Sequence, residues 1–469
     1  MNNQANIGMP RKSIFLNIWA VTGLLFFTFV LLFLSLNSSL ALPVLGIALG
    51  IPFFYVIIKY PKVWLWAIAL SSFVFFRTSD LKIGVGDILF GVFIVASTYI
   101  WLMWKLFVQR EKLVESIADW FIIVFYTGML LNSVVAMLNG AKFLDWFREY
   151  ALYSNMLLYF PFKYYLKEKK DIIIILVMFG LSVFIASFDQ IRMYKEIALS
   201  QTIYAYQLGR SVRLNQPLFS AAIFFSLIMS LLPMRKIYRL ALWGLAFAAI
   251  AALVVSFSRS FWVFVIFGII LIFFYLVKRQ KKIIVVALGL IILTGTVSFF
   301  SFFGEKADLM IVVLTERFTS TTKGSKDVSL KLRLVEYEEA LKKIAKHPLF
   351  GNGLGKHFHF YVPFLHITTY TQYIHSGYLY ALYRFGIPLT FMFLFILGYN
   401  IFVSERMSRK LKDPFYKNLI LSSMISLLML AAASIFSNQF FQRDSGIILA
   451  LAFSFVSIAQ KKYKQELIS

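Results

Sequence analysis

Long apolar blocks constrain this chain more than any other feature of its sequence. A helix needs ~20 mainly apolar residues to cross a membrane, because the hydrocarbon core is ~30 Å thick and each residue adds 1.5 Å. Only 15% of the 469 residues are charged, whereas soluble domains carry roughly 25%. The sequence therefore predicts an all-α polytopic membrane protein and excludes an ordinary soluble fold.

Fourteen stretches have this apolar character and predict about fourteen transmembrane helices. The first stretch is too long for a signal peptide and is followed directly by a second apolar block, so we expect it to be retained. The predicted spans lie near residues 14–36, 40–58, 63–76, 87–107, 117–138, 143–166, 171–188, 216–233, 236–255, 259–277, 281–303, 376–403, 416–437 and 443–460.

Basic residues predict which loops face the cytoplasm, because Lys and Arg accumulate in cytoplasmic loops. With the N-terminus inside, the inside segments hold 26 Lys and Arg, whereas the short outside connections hold five. This asymmetry predicts that both termini are cytoplasmic. It also accounts for most of the net charge of +25, so no nucleic-acid partner is needed to explain that charge.

Two segments on the predicted outer side are much longer than the other connections, namely residues 189–215 and 304–375. The larger one lies between the eleventh and twelfth spans and is predicted to be a periplasmic loop. It separates a first part of the bundle, residues 1–303, from a second part, residues 376–469. Long loops held by a rigid scaffold are common places for binding and catalysis, so these two segments are candidates for the site.

The larger loop contains an apolar repeat with helical spacing, which predicts an amphipathic helix from Leu332 to Lys346. Pro348 ends this helix, and the glycine-rich run 351–355 then predicts a flexible turn. We expect the helix to lie on the outer membrane surface or to cap a cavity. Its predicted apolar stripe is Leu334, Tyr337, Leu341, Ile344 and Ala345, and its predicted polar side is Glu336, Glu339, Lys343 and Lys346.

Arginine on the predicted outer side is informative, because the topology rule disfavours it there. Guanidinium groups offer forked, permanently charged donors that match phosphate oxygens, so several of them around one cavity indicate a phosphate-bearing ligand. Each one alone also fits an interfacial side chain or an ion-pair partner. One of them lies inside the twelfth span, where a charge needs a partner or water. The five are Arg210, Arg213, Arg259, Arg333 and Arg384.

All five histidines are predicted to lie outside as well, and one of them has a distinctive position. His357 and His359 are two apart in a loop, no cysteine is present and no H-E-x-x-H pattern occurs, so a zinc site is not expected. His375 stands where the large loop re-enters the membrane. An imidazole has a pKa of about 6.5 and can accept a proton from a hydroxyl at neutral pH. His375 is therefore a candidate general base, with helix capping as the alternative.

Six short motifs occur in order between residues 205 and 400, all on the predicted outer side. They resemble the O-antigen ligase and O-antigen polymerase superfamily, and the resemblance is carried by their order and common side rather than by any one of them. The motifs are Arg213-Leu-Asn-Gln-Pro217, Ser258-Arg259-Ser260, Arg333-Leu-Val-Glu-Tyr337, His347-Pro348-Leu-Phe-Gly351-Asn-Gly353-Leu-Gly355, His375-Ser376-x-x-Leu379 and Phe385-Gly386.

The resemblance implies a helical bundle in the bacterial inner (cytoplasmic) membrane, surrounded by membrane lipids, with a periplasmic loop that caps the site. Members of the superfamily transfer a glycan from an undecaprenyl diphosphate carrier to an acceptor, without a metal, a nucleotide sugar or another cofactor. By motif, Arg259 and Arg333 would hold the diphosphate and His375 would be the base. Further substrate contacts are expected from Arg210, Arg213, Tyr337, Ser376 and Arg384.

Two residues depart from the pattern of the superfamily, and two questions stay open. Ser376 stands where Asn commonly follows the histidine, and Arg384 stands where an acidic residue is frequent. The acceptor is lipid A core in a ligase and another lipid-linked glycan in a polymerase, and the sequence does not choose between them. A transporter or flippase for the same charged lipid is the alternative function, although its ionisable residues would be expected near the bilayer midplane.

Overall fold

The computed structural model describes residues 54–75, 85–199, 215–256, 258–304 and 328–468, together with residues 307, 311, 312 and 315. The first predicted span, residues 14–36, lies outside these described residues. The chain divides into two compact units, Met1–Ala67 and Ile68–Ser469. In the first unit, residues 54–59 are helical and a second helix begins at Pro61. The residues of the candidate site described below belong to the second unit.

Helices make up most of the described chain. In chain order they are α1 Pro61–Phe75, α2 Val85–Met103, α3 Ile117–Leu138, α4 Phe143–Tyr153, α5 Tyr159–Tyr165, α6 Lys169–Leu199, α7 Gln216–Met229, α8 Lys236–Val255, α9 Arg259–Tyr275, α10 Lys278–Phe303, α11 Val328–Lys346, α12 Gly377–Lys410, α13 Pro414–Phe436 and α14 Arg443–Ile468. A π-helical turn, Trp104–Val108, extends α2, and a 3₁₀ turn, Ser154–Leu158, joins α4 to α5.

Seven helices among the described residues are long and apolar enough to cross a membrane, and shorter apolar helices accompany them. The fold is therefore that of a helical polytopic membrane protein. In the most apolar stretch of α14, 89% of the residues are buried inside the protein, against 17% in α10. The last helices thus form the centre of the bundle, whereas α10 lies at its periphery.

The predicted span 143–166 is not one continuous helix, which corrects the sequence interpretation. The chain forms α4, the 3₁₀ turn Ser154–Leu158 and α5 instead. Asp145, Arg148 and Glu149 all lie in the eleven residues of α4, and charged side chains are costly in hydrocarbon unless they are paired. Within α4, Glu149 finds a partner in Arg384 at 2.7 Å, and Asp145 lies 3.7 Å from Arg148.

A β-hairpin that the sequence analysis did not predict follows the glycine-rich run. β1, Phe358–Val362, pairs antiparallel with β2, Ile367–Thr371, so that His359 lies opposite Tyr370. Side chains along β1 alternate between buried and exposed, as expected for a strand with one covered face. The strands are joined by a 3₁₀ turn, Pro363–Leu365. The chain enters α12 at Gly377, the sixth residue after Thr371.

The amphipathic helix of the large loop is present as α11, and it is four residues longer at its start than predicted. Its buried side, however, differs from the predicted one. Leu334 and Leu341 are 59% and 54% exposed, whereas Glu336 is only 1% exposed. The prediction that Glu336 lies on the solvated side was wrong, because this carboxylate finds donors in the protein that compensate for its burial.

Several basic segments meet at one end of the bundle. Glu115 lies 2.6 Å from Nζ of Lys461 and 3.2 Å from Nζ of Lys163, and Lys169 lies 2.7 Å from Asp413. α12 begins at Gly377, directly after the large loop, and ends at Lys410, just before Asp413. This end of the bundle therefore lies at the opposite end of α12 from Gly377. We call it the basic end, and we call the region around residues 328–384 the loop end.

Candidate active site

His375 and Glu336 form the centre of the loop end. Nδ1 of His375 lies 2.7 Å from Oε2 of Glu336, and the backbone N–H of His375 donates to Oε1 at 3.3 Å. The Glu336 side chain is 2% exposed and that of His375 is 48% exposed. The carboxylate therefore fixes the ring from the protein side, while the rest of the imidazole is open to solvent.

This arrangement leaves Nε2 of His375 available for chemistry. A proton on Nδ1 is held by the Glu336 carboxylate, so the other ring nitrogen of a neutral imidazole carries a lone pair. No protein partner contacts Nε2 within the part of the chain that the structure describes. An imidazole that is oriented by a carboxylate and presents a free nitrogen is suited to take a proton from a hydroxyl group.

Tyr337 and Ser376 hold the backbone on either side of the imidazole. The Tyr337 hydroxyl donates to the carbonyl of His375 at 2.6 Å, and it lies 3.5 Å from the carbonyl of Ile435. Burial raises the pKa of Tyr337, so its hydroxyl is protonated and can donate at neutral pH. Ser376 is the N-cap of α12 and accepts from the backbone N–H of Leu379. Both residues are predicted to contact substrate; in the structure Tyr337 holds the backbone of His375, and Ser376 caps the helix that follows it.

Arg333 lies one helical turn before Tyr337 on α11. Its side chain is half-buried, and its positive charge acts on the Tyr337 hydroxyl, which in turn contacts His375. The structure therefore places Arg333, Tyr337 and His375 in one neighbourhood. The sequence alone joins Arg333 and Tyr337 in one motif, but it does not relate that motif to His375.

The helix that Arg259 opens, α9, is connected to this neighbourhood through Phe264 and Phe436. Arg259 is the first residue of α9, with Ser258 as the N-cap. Phe264, one turn further along α9, stacks on Phe436 at a ring distance of 6.2 Å. Phe436 follows Ile435, whose carbonyl lies 3.5 Å from the Tyr337 hydroxyl. The start of α9 and the end of α13 thus lie beside the Tyr337 end of the site. Arg210 and Arg213, also predicted to assist, lie outside the described residues.

Arg384 is enclosed in the protein, and its terminal nitrogens contact protein groups. The side chain is 0% exposed, and Nη2 lies 2.7 Å from Oε1 of Glu149. Nη2 also donates to the carbonyl of Gln372 at 2.9 Å, and Nη1 donates to the carbonyls of Gly353 and Lys356. The expectation that a charge inside this helix needs a partner is met by Glu149. These contacts favour a structural role over direct contact with substrate.

Glu149 completes this second ion pair. Its Oε2 accepts from the backbone N–H of Gly355 at 2.9 Å and from the Tyr380 hydroxyl at 3.1 Å. Arg384 and Glu149 therefore connect α12 and α4 to the chain on both sides of the hairpin. A buried pair of this kind depends on each partner, because removal of one leaves an uncompensated charge.

The glycine-rich run, predicted to be a flexible turn, is buried and forms backbone hydrogen bonds with α12. All of residues 351–355 are buried. The helix α12 is interrupted at Gly386, which has φ 73° and ψ −177°, and an interruption leaves backbone groups without helical partners. The run and the residues just before it supply those partners: the backbone N–H of Asn352 donates to the carbonyl of Tyr383 at 2.7 Å, and that of Ile387 donates to the carbonyl of Pro348 at 2.7 Å.

The glycines of this run are needed for close approach of the two backbones. A Cβ on Gly351 would lie 2.6 Å from the backbone of Arg384, and a Cβ on Gly386 would lie 2.3 Å from the carbonyl oxygen of Leu349. Both residues also have positive φ angles, which side-chain-bearing residues rarely adopt. The chain after α11 is thereby locked against α12 close to His375.

Glu336 and Glu149 are the two site residues that the sequence analysis missed. Both are carboxylates buried at the loop end, and both bind the side chain of a residue that the sequence did single out. One signal was available for Glu336: it stands inside the Arg333-Leu-Val-Glu-Tyr337 motif. The span containing Glu149 carries three charged residues close together, which could have indicated a buried pair.

Comparison with known proteins agrees with the motifs. A family model described as O-antigen ligase matches residues 244–394, about a third of the chain. The matched region contains Arg259, Arg333, His375 and Arg384, and it confirms the resemblance to the O-antigen ligase and polymerase superfamily. The match supports glycan transfer of the general O-antigen ligase or polymerase type. None of the curated proteins matches the chain.

Proposed function

We propose that this protein is a glycosyltransferase of the bacterial inner membrane, which moves a glycan from an undecaprenyl-diphosphate carrier to an acceptor hydroxyl. The reaction takes place at the periplasmic side, where the large loop caps the bundle. The observation that carries the proposal is the His375–Glu336 pair, which lies in the region that matches O-antigen ligases. It supplies an oriented base within that region.

His375 acts as the general base in this proposal. Nε2 takes the proton of an acceptor sugar hydroxyl as the oxygen attacks the anomeric carbon of the donor glycan. The bond between that carbon and the diphosphate oxygen breaks, and its electron pair leaves with the lipid diphosphate. Attack from the side opposite the leaving group inverts the configuration at the anomeric carbon. The Glu336 carboxylate stabilises the imidazolium that forms.

Arg259 and Arg333 bind the diphosphate of the donor in this proposal. Negative charge grows on the leaving group as the bond breaks, and fixed guanidinium groups stabilise that charge more in the transition state than in the bound donor. Arg333 is placed next to Tyr337 and His375, and the helix that begins with Arg259 packs against the end of α13 beside them. Arg210 and Arg213 would assist from the loop that precedes α7.

A reconstituted transfer assay tests the proposal. Purified protein in liposomes receives an undecaprenyl-diphosphate-linked oligosaccharide as donor, and the release of undecaprenyl diphosphate is followed with time. We expect His375→Ala to lower the rate by about 10²- to 10⁴-fold. Arg259→Ala and Arg333→Ala should each lower it by about 10²- to 10³-fold.

Matched controls separate these effects from general damage. His347→Ala removes an exposed histidine of the same loop, and Arg279→Ala removes an exposed arginine from the first turn of α10. Both should transfer glycan at the wild-type rate. Transfer by His375→Ala at the wild-type rate would remove His375 from the role of base. Movement of the intact donor across the membrane without cleavage would favour a flippase.

The same assay distinguishes the two possible acceptors. Glycan that appears on lipid A core identifies a ligase, whereas longer undecaprenyl-linked products identify a polymerase. The donor is supplied alone in one set of liposomes and together with lipid A core in the other. The products are separated by size after extraction of the lipids.

A further inference from the structure

The β-hairpin before α12 presents a polar aromatic face that the reaction described above does not use. His359 and Tyr370 lie opposite each other in the register, and their rings stack at 5.9 Å with an interplanar angle of 28°. Tyr361 and Thr368 form the next opposed pair on the same side. We call these four residues the hairpin face. Tyr370 is 74% exposed and Tyr361 is 51% exposed, which is a large exposed area for ring side chains.

The other side of the hairpin is attached to the protein. Phe358, Phe360 and Val362 are buried, with exposures of 0%, 4% and 0%. Gln372, directly after β2, accepts through its carbonyl a hydrogen bond from Arg384. The hairpin face is therefore held on a fixed support rather than on a free loop. Binding to a fixed surface loses little free energy to ordering of the protein.

All four side chains of the hairpin face combine a carbon surface with a polar atom. A sugar ring has one face of C–H groups, which can lie on an aromatic ring, and hydroxyls at its edge, which need hydrogen-bond partners. Tyrosine and histidine provide both kinds of contact, and threonine provides a hydroxyl. The chemistry of the hairpin face thus fits a carbohydrate better than it fits an apolar surface.

Lysines surround the base of the hairpin. Nζ of Lys343 donates to the carbonyl of His359, and it lies 4.8 Å from the ring centre of Phe358. Burial lowers the pKa of Lys343, and the nearby ammonium groups of Lys346 and Lys356 lower it further. Burial also lowers the pKa of His359, with Lys343 and Lys356 adding to the effect. The imidazole is therefore neutral at pH 7.

These lysines have little negative charge to balance them. Within the part of the chain that the structure describes, no carboxylate lies within 4.0 Å of the ammonium group of Lys343, Lys346 or Lys356. Glu339 acts on Lys343 from a greater distance, and its own ion pair is with Lys342. Positive charges held this close repel one another, and a bound anion would offset that repulsion.

The hairpin face is also close to His375 along the chain. Five residues separate Tyr370 from His375, so their Cα atoms are at most ~18 Å apart. A short oligosaccharide can span that distance. A glycan bound on the hairpin face can therefore extend to the imidazole that accepts a proton from the attacking hydroxyl.

We propose that the hairpin face, formed by His359, Tyr361, Thr368 and Tyr370, binds an acidic sugar of the acceptor glycan, with Lys343 and Lys356 near its negative charge. The proposal rests on the proposed function, because it names the class of acceptor that His375 activates. The occupant is a glycan that carries carboxylate or phosphate groups. It follows that the acceptor is recognised several sugars away from the hydroxyl that reacts.

A binding measurement tests this proposal without transfer. Full-length His375→Ala protein in nanodiscs of neutral phosphatidylcholine is titrated with two hexasaccharide probes. The acidic probe alternates glucuronic acid with N-acetylglucosamine, and the neutral probe contains N-acetylglucosamine alone. We expect the acidic probe to bind at least tenfold more tightly than the neutral one. Adding Tyr370→Ala should weaken binding of the acidic probe by about tenfold, and adding Lys343→Gln should reduce the difference between the probes.

A control in the hairpin turn separates glycan binding from contact with the bilayer. Phe364, Leu365 and Ile367 at the turn are 42%, 45% and 49% exposed and carry no polar side-chain atom. Leu365→Ser should leave binding of both probes unchanged. Equal binding of the two probes, no binding of the acidic probe, or no effect of Tyr370→Ala would overturn the proposal. An equal loss with Leu365→Ser and Tyr370→Ala would identify the hairpin as a membrane contact instead.

The binding result is independent of the transfer assay. The His375→Ala protein lacks the base, so binding of a probe does not depend on whether the wild-type protein transfers glycan. Failure of the proposed function would show as unchanged transfer by His375→Ala in liposomes. Failure of the hairpin proposal would show only in the affinities of the two probes.

Discussion

Two carboxylate pairs at the loop end have the same distance and opposite surroundings. Glu336 lies 2.7 Å from Nδ1 of His375, and Glu149 lies 2.7 Å from Nη2 of Arg384. The His375 side chain is 48% exposed, whereas that of Arg384 is 0% exposed. Only nine residues of the chain separate His375 from Arg384. The pairs therefore share a region of the fold and differ in access to solvent.

Both pairs are charged, so exposure to solvent is what distinguishes them. A pair that is open to solvent can take part in a reaction, whereas an enclosed pair can only hold parts of the fold together. Arg384 directs its terminal nitrogens at Glu149 and at the carbonyls of Gly353, Lys356 and Gln372. A substrate oxygen has no way to compete for those donors without opening the protein. His375 has one nitrogen held and one side open, so it can exchange a proton. In the proposed function, the open pair transfers the proton and the enclosed pair stabilises the structure around it.

The comparison predicts that breaking the enclosed pair, Arg384 and Glu149, lowers stability more than any other change considered below. Arg384→Ala leaves the Glu149 carboxylate buried without its partner and removes donors from the three carbonyls. We expect the free energy of unfolding to fall by about 3 to 5 kcal/mol, measured by thermal unfolding in detergent micelles. The half-buried Arg333 is the matched control, and Arg333→Ala should unfold near the wild-type temperature. Wild-type stability of Arg384→Ala would show that the enclosed pair is dispensable.

Substitution of Gly386 tests how much the contact between α12 and the chain after α11 contributes to stability. The φ of 73° at Gly386, with ψ of −177°, lies in a region that only glycine adopts readily. Gly386→Ala should cost about 1 to 3 kcal/mol from this conformation alone, and more because its Cβ would meet the carbonyl of Leu349. Gly398, around which a Cβ meets no atom within 4 Å, is the matched position on the same helix. Comparable unfolding temperatures for Gly386→Ala and Gly398→Ala would contradict the close approach of the Gly386 and Leu349 backbones.

Glu336→Gln should change the rate of transfer with little effect on stability. The amide keeps the size of the side chain but cannot stabilise an imidazolium, so we expect the rate to fall by about 10- to 10²-fold. The dependence of the transfer rate on pH separates this effect from a structural defect. The part of the pH–rate profile that reports protonation of the base should shift in Glu336→Gln, whereas a structural defect would leave it in place. Glu336→Asp should recover part of the rate. If Glu336→Gln unfolded at a temperature as low as that of Arg384→Ala, the role of Glu336 would be structural instead.

The smallest expected effect comes from Tyr337→Phe. This change removes one hydrogen bond to the carbonyl of His375 and keeps the ring. A hydrogen bond of this kind contributes about 0.5 to 1.5 kcal/mol, so transfer should slow by roughly twofold to tenfold at unchanged stability. Tyr238→Phe, a change to an exposed tyrosine at the start of α8, gives the control for general loss of a hydroxyl. A drop as large as that of His375→Ala would give Tyr337 a direct part in the reaction.

Features with a local cause could be predicted from the sequence. Apolar blocks of membrane length identified the helical membrane fold, since the cost of burying backbone polar groups in lipid leaves few alternatives. Helical spacing located α11 to within a few residues of its observed bounds. The motifs singled out His375, Arg259 and Arg333, and the family match covers all three.

Features that depend on distant partners could not be predicted in this way. Glu336 is separated from His375 by 39 residues and Glu149 from Arg384 by 235 residues. Periodicity placed Glu336 on the solvated side of α11, because an isolated helix gives no information about a histidine that enters from elsewhere. The glycine-rich run was interpreted as flexible for the same reason. Its backbone partners lie on α12.

The sequence by itself determined that this chain is a helical membrane protein with an O-antigen ligase-like region and a histidine where the large loop re-enters the bundle. Hydrophobicity and spacing are properties of neighbouring residues, so they can be read along the chain. Only the tertiary structure decided that Glu336 binds His375, that Glu149 pairs with the buried Arg384 and that a β-hairpin forms just before His375. Those outcomes depend on which buried charges meet, because a carboxylate is stable away from water only where the fold brings it a donor.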